Sequence, residues 1–310
     1  MPLTLQKHLP AIDLLKKENI FVMDSLRASE QDIRPLRVVV LNLMPLKITT
    51  ETDLIRLLSN SPLQVELDFM KIKGHSPKNT PIEHLRQFYK DFDIIRKDCY
   101  DGMIITGAPV ELFEFEKVTY WKEITSIFDW ARTHVTSTLY ICWAAQAGLY
   151  HFYKIPKYEL PAKKFGIFKH TLNEPLLPIF RGFDDEFFVP HSRYTEIRKE
   201  DLLKTPDIKL ISESKDAGVY MVMARGGREL FITGHSEYSP YTLDDEYKRD
   251  LKKGLPISLP ENYYKDNDPA LRPSVRWRAH ANLLFTNWLN YYVYQETPYR
   301  PEDIKHLGSI

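Results

Sequence analysis

Apolar residues in the first half of the chain fall into two alternating patterns. Short uninterrupted runs, Val38-Val39-Val40-Leu41 and Gly102-Met103-Ile104-Ile105-Thr106-Gly107, have the length and character of strands buried on both faces. Residues 64–69 alternate apolar and polar, as a strand with one wet face does. Between these runs lie residues 50–58, 81–89 and 121–133, where apolar side chains recur at helical spacing. Pro81 stands in a first turn, where a helix tolerates proline. Strand then helix, repeated with apolar strands, predicts an α/β fold built on a doubly wound, mostly parallel sheet.

The second half has a different texture. Residues 207–213 and 218–224 read as strands, and Arg225-Gly226-Gly227-Arg228 turns the chain back through Leu230-Phe231-Ile232. This predicts an antiparallel extension of the sheet. Residues 243–253 and the aromatic-rich 282–294 read as helices, and 255–273 as a long loop of Pro, Asn and Asp. No linker composition separates the halves near residues 155–165, so 36–298 reads as a single α/β domain. Residues 1–35 read as an N-terminal arm that a partner subunit orders, and 299–310 as a C-terminal tail.

Composition narrows the function classes. Forty-two basic and 42 acidic residues cancel over 310 positions, so nothing general points to nucleic acid or an anionic membrane. No apolar run reaches the roughly 20 residues of a membrane span. The first residues lack the pattern of a signal peptide. Two cysteines, Cys99 and Cys142, do not make a disulfide framework, and a cytoplasmic protein is expected.

Cys142 closes the run Ser137-Thr138-Leu139-Tyr140-Ile141, and a helix begins at once with Trp143-Ala144-Ala145. A lone strand cysteine is more often a small core residue. The carboxyl end of a parallel strand, however, is where an open α/β sheet binds ligands. A helix N-terminus there favours a thiolate and an oxyanion beside it. Cys99, in a polar connector, has no such setting. Thr233-Gly234-His235-Ser236-Glu237 offers an imidazole and a carboxylate two positions apart, on one face of a strand end. Such a pair can activate a nucleophile, although alone it reads more readily as a surface hydrogen-bonded pair. No second His stands at ligand spacing, so no metal is expected. Polar turns at residues 41–47 and 106–111 bring further groups to the same sheet edge.

Asn42-Leu43-Met44-Pro45, Thr106-Gly107-Ala108-Pro109, Cys142-Trp143-Ala144, Arg181-Gly182-Phe183-Asp184-Asp185, Pro190-His191-Ser192-Arg193-Tyr194, Thr233-Gly234-His235 and the stretch from Asn282 to Gln295 carry a resemblance. In order and spacing they resemble the homoserine O-succinyltransferase family of methionine biosynthesis, over roughly residues 35–298. That resemblance implies a class I glutamine-amidotransferase-like, flavodoxin-like fold. Tyr140 and Ala144 stand where the wider superfamily's Gly-x-Cys-x-Gly elbow has glycines, which counts against glutamine hydrolysis.

The resemblance also implies acyl transfer from acyl-CoA to the hydroxyl of L-homoserine. Cys142 would carry the acyl group as a thioester, with His235 as general base and Glu237 orienting it. The backbone N–H of Trp143, with one near Leu46 and Lys47, would hold the oxyanion. Substrate contacts would fall on Lys163, Ser192 and Arg249, with Lys47, and with Glu246 meeting the ammonium group. Succinyl-using members have a glycine where this chain has Glu111. A carboxylate and extra bulk there would repel and crowd the distal carboxylate of succinyl-CoA. Acetyl-CoA is therefore the expected co-substrate, with no further cofactor, and a homodimer is implied. Succinyl-CoA use is the alternative; a thioester hydrolase or a non-catalytic binding protein of the same fold is a more distant one.

Overall fold

The computed structural model describes residues 3–5, 9–17, 22–24, 34–73 and 79–306. Their strands are β1 (Leu3–Leu5), β2 (Val22–Asp24), β3 (Leu36–Leu41), β4 (Val65–Lys71), β5 (Tyr89–Asp91) and β6 (Tyr100–Ile105). The remainder are β7 (Val135–Ile141), β8 (Tyr158–Leu172), β9 (Glu186–Glu196), β10 (Ile208–Ser214), β11 (Gly218–Ala224) and β12 (Glu229–Ile232). They join in one sheet of order β2-β1-β4-β3-β6-β7-β12-β11-β10-β8-β9, with β5 beside β4. From β2 to β12 the pairs are parallel; from β12 to β9 they are antiparallel.

Taken alone, β4-β3-β6-β7-β12 follow the flavodoxin-like order, the second strand lying outside the first. Burial follows the two-residue period. Val38 and Val40 face one apolar layer, while Val39 and Leu41 face the other. Leu54, Ile55, Leu57 and Leu58 of the helix Lys47–Leu58 cover the first layer with Leu284 and Phe285 of the helix Arg278–Asn287. The helices Trp121–His134 and Trp143–Tyr153 cover the second, through Ile124, Ile127, Phe128, Ala144, Ala147 and Leu149. Each fully buried Leu or Ile here stabilises by about 1.5–3 kcal/mol.

Three features differ from the sequence reading. The described part of residues 1–35 packs on this chain itself: Thr4 pairs with Glu66 at the sheet edge, and Leu9, Ala11 and Leu15 are buried in the first layer. Strands β8 and β9 form a long hairpin that periodicity did not reveal. Pro161 and Pro190 break the propensity pattern, and a register shift between Glu159 and Lys164 breaks the alternation. The C-terminal helix, expected over 282–294, is α-helical over Arg278–Asn287 and continues as a π-helix over Trp288–Tyr294. There Trp288 is fully buried and donates to Ser137 Oγ at 3.0 Å.

Candidate active site

The Cys142 corner is set by backbone geometry. Strand β7 is buried throughout and stops at Ile141. Cys142 then takes φ 54°, ψ −114°, a region that L-residues avoid, before the helix Trp143–Tyr153 starts. Its N–H donates to Ile232 O at 2.7 Å, pinning the corner to neighbouring β12. The N–H of Trp143, at the first helical position, has no intrahelical acceptor and is available to an oxyanion. Gly107 lies directly beneath. A Cβ on it would sit 3.1 Å from Cys142 Cβ, a tight contact, and within van der Waals reach of Cys142 Sγ at 3.6 Å and His235 Cε1 at 3.5 Å, so glycine leaves room beside both groups.

His235 Nδ1 and Glu237 Oε1 are 2.7 Å apart. The carboxylate accepts, so Nδ1 carries the proton and Nε2 is the nitrogen left to exchange one with Cys142. Burial disfavours the charged imidazole. The Cys142 thiolate and Glu237 outweigh it, by charge and by hydrogen bonds from both, and hold His235 well above its ordinary pKa. Tyr238 stacks on the ring at 4.1 Å between centroids, and the His235 N–H donates to Pro190 O at 2.8 Å. The sequence reading put this pair on one face of a strand. In fact β12 ends at Ile232, and a turn over residues 233–237 aligns the two side chains. Asp53 packs behind that turn and accepts the Ser239 N–H. Burial pushes its carboxyl up to about 7 despite Arg56 at 2.8 Å, with the Glu237 charge adding to the rise.

Two loops at the same sheet edge hold one another. Leu43 N–H donates to Thr106 Oγ1 at 2.8 Å, and Met44 N–H to Asn42 Oδ1 at 3.1 Å. The buried Lys47 ammonium donates to the carbonyls of Asn42 and Met44. Burial lowers its pKa to about 8, against the pull of Glu51. Lys47, expected among substrate contacts, thus commits its ammonium to its own loop. Its backbone N–H opens the helix Lys47–Leu58.

Lys163, Ser192, Glu246 and Arg249 come together in one cluster. Lys163 Nζ lies 2.7 Å from Glu246 Oε1, Ser192 Oγ donates to Glu246 Oε2 at 2.8 Å, and Arg249 Nη2 stands 3.4 Å from Glu246 Oε1. Asp250, not foreseen, accepts from Arg249 Nε at 2.7 Å and from the same Nη2 at 3.0 Å. The cluster balances two cations against two carboxylates, which suits a zwitterionic substrate able to exchange partners with it. Glu111 reaches the site from the β6 loop. Its Oε2 is 2.9 Å from Tyr194 N and 3.2 Å from Thr195 Oγ1.

A family model described as homoserine O-succinyltransferase matches residues 2–299. The chain belongs to that family. A relative from Parabacteroides distasonis, named homoserine O-acetyltransferase, is 80% identical over 310 residues and the whole of both chains. Relatives of the same name from Bacteroides fragilis and Desulfitobacterium hafniense are 74% and 57% identical, over 98% of this chain and at least 99% of theirs. A glutamine amidotransferase from Thermotoga maritima superposes with TM-score 0.55 over 83% of this chain and 98% of its own, at 15% identity. That likeness shows the fold alone, class I glutamine-amidotransferase-like.

Within this homoserine O-succinyltransferase family member, several residues around the site escaped sequence reasoning. Arg193 is 1% exposed, and its guanidinium donates to Thr195 O at 2.7 Å, to Ala217 O and to His191 Nδ1 at 3.4 Å. Gln146, one turn along the helix that follows Cys142, donates Nε2 to Thr195 O at 3.2 Å. The signal for both was the polar character of residues at otherwise apolar positions. Without β9 in the predicted sheet, it pointed nowhere.

Proposed function

We propose that this chain is a homoserine O-acetyltransferase, moving acetyl from acetyl-CoA to the hydroxyl of L-homoserine in L-methionine biosynthesis through a Cys142 thioester. The meeting of Cys142 and His235 over Gly107, with Glu237 on Nδ1, carries the reading. The thiolate attacks the acetyl carbonyl carbon, and the N–H groups of Trp143 and Lys47 stabilise the oxyanion. As the tetrahedral adduct collapses, the C–S bond to CoA breaks and the leaving thiolate takes the His235 Nε2 proton. Homoserine then enters, with Arg249 on its carboxylate and Glu246 on its ammonium group. His235 Nε2 removes the hydroxyl proton, the oxygen attacks the thioester, and the electron pair of the C–S bond returns to Cys142. Two half-reactions through one nucleophile give ping-pong kinetics.

Glu111 favours acetyl over succinyl by narrowing the acyl pocket where a longer chain would extend. The names of the relatives support the same choice. The reading places the protein in the cytoplasm as a homodimer. Both cysteines are free, and among the described residues no helix is long and apolar enough to cross a membrane. Mass spectrometry after incubation with acetyl-CoA should find one acetyl group on Cys142, lost on adding homoserine. No adduct would point to a binding protein, and loss without homoserine to a hydrolase.

A further inference from the structure

A buried polar cluster, separate from the groups around Cys142, stands beneath the first turn of the helix Lys47–Leu58. Glu51 is completely buried, and Asn42, Lys47, His84 and Tyr89 are buried with it. Glu51 lies one turn after Lys47, on the same helix face. Its Oε1 accepts the Tyr89 hydroxyl at 2.5 Å, and both of its oxygens lie 3.0 Å from His84 Nε2. His84 belongs to the helix Ile82–Phe88 and Tyr89 to β5, so two further elements grip this carboxylate. Burial first and the Glu51 charge second raise the Tyr89 phenol well above its ordinary pKa, so it keeps the proton it donates.

The same hydroxyl accepts from Asn42 Nδ2 at 2.9 Å. Asn42 carries the connection to the helix start. Its Nδ2 also donates to Lys47 O at 3.2 Å, its Oδ1 accepts the Met44 N–H at 3.1 Å, and its carbonyl accepts from the Lys47 ammonium. That ammonium stands 5.6 Å from the centre of the Tyr89 ring, which closes the circuit. Leu46, the residue before the helix, supplies no side-chain cap. The first turn is held instead at Lys47 by Asn42 and at Glu51 by Tyr89 and His84.

We propose that Glu51, His84 and Tyr89 are positioning residues for acyl transfer: with Asn42 they form a buried bracket that fixes the Lys47 N–H as the second oxyanion donor. The proposal rests on the reading of that N–H as a donor. Apolar side chains of similar volume would stabilise a buried helix start at least as well as an ammonium and a carboxylate do. What a fully paired polar network adds is one defined geometry, and an oxyanion donor needs one.

The reaction passes through two tetrahedral oxyanions in the same hole, one as Cys142 is acetylated and one as homoserine takes the acetyl group. A displaced donor slows both steps alike, which neither weaker substrate binding nor lower stability does. The readouts in Tyr89→Phe are two single-turnover rates at saturating substrate: CoA release from acetyl-CoA without homoserine, and homoserine-dependent loss of acetyl from the acetylated protein. Each should fall by about tenfold, part of the hundredfold or more that outright loss of an oxyanion donor costs. Affinities for acetyl-CoA and homoserine should not change. Leu15→Ala, packed in the same apolar layer as Leu54 and Leu58, is the stability control: it should unfold more readily with both rates at the parent value. His84 gives an independent pair of variants. His84→Gln keeps a donor for Glu51 and should retain both rates, while His84→Leu removes it and should lower both. Parent-like rates in Tyr89→Phe and His84→Leu, or a fall confined to one step, would overturn the proposal and leave the thioester reading standing. Equal losses in Leu15→Ala would overturn it too, by marking the bracket as structural. Absence of an acetylated Cys142 in the parent would refute the thioester reading itself, and the two-step effect with it.

Discussion

Cys142 occupies a backbone conformation that costs about 1–3 kcal/mol and persists because its surroundings hold it there. Gly107 leaves open space next to Cys142 Sγ and His235 Cε1. Gly107→Ala should therefore act on chemistry more than on folding. The new methyl must displace Cys142 Cβ by a few tenths of an ångström; a shift of about 1 Å in a reacting group costs about a hundredfold in rate, so a loss of about severalfold is expected here. Steady-state kcat beside thermal unfolding checks this, and an unchanged kcat would show that the pair does not meet above Gly107. Cys142→Ser and His235→Ala should each lower kcat by at least about ten-thousandfold with little change in unfolding temperature, because nucleophile and base act as a unit. Near-normal turnover in either would sink the thioester route. At this scale the sequence was informative: a thiol at a strand-to-helix corner and a His-x-Glu pair are local patterns. Arg193, Thr195 and Gln146 were silent, because a buried polar residue reads as ordinary until its partners are known.

The hairpin of β8 and β9 shows what one element contributes. Through Pro190 O it holds the backbone of His235, and through Thr195 it holds Gln146 on the helix that follows Cys142. It also buries two stacked histidines, His170 and His191, with Nε2 atoms 3.1 Å apart. His170 Nδ1–H donates to Phe168 O, so its Nε2 accepts from His191 Nε2–H, and His191 Nδ1 accepts from Arg193. Each ring is neutral in that chain. Burial holds His170 down to about 3 and His191 well below the ordinary range.

Unfolded, both histidines would take a proton near pH 6.5. Below that pH the unfolded chain binds more protons than the native one, so stability falls as pH drops, by about 1.4 kcal/mol per unit per histidine. His235 has the opposite shift. Its contribution is fully present below pH 6.5 and is lost only at higher pH, so it does not mask the effect. Urea unfolding at pH 6.5 and 5.5 should show this loss, with a shallower slope in His170→Gln. Equal slopes would mean that the native pair titrates normally. The hairpin was poorly legible because its prolines and charged residues contradict strand propensity, and only pairing with β10 and with each other makes it a strand pair.

For the whole molecule, the sheet is a single frame in which a parallel core carries the loops of the candidate site and an antiparallel extension continues the same sheet from β12 to β9. The N-terminal segment belongs to that frame. Leu15 is completely buried in the layer shared with Leu54 and Leu58. Leu15→Ala should cost about 2–5 kcal/mol, measured by chemical denaturation, as for any core leucine. A change below about 0.5 kcal/mol would mean that the segment does not belong to this core and is the partner-ordered arm its sequence alone implied. Strand and helix identity through the first half, the buried character of β3, β6 and β7, the Cys142 corner and the His235–Glu237 spacing were determined by the sequence itself. Each depends on which side chains within a few residues avoid water. Only the tertiary structure decided that β12 lies beside β7 and that β9 crosses to the site. It likewise decided that Glu111 finds Thr195. Those contacts join residues far apart in the chain, and non-local pairing and packing leave no period in the sequence from which to read them.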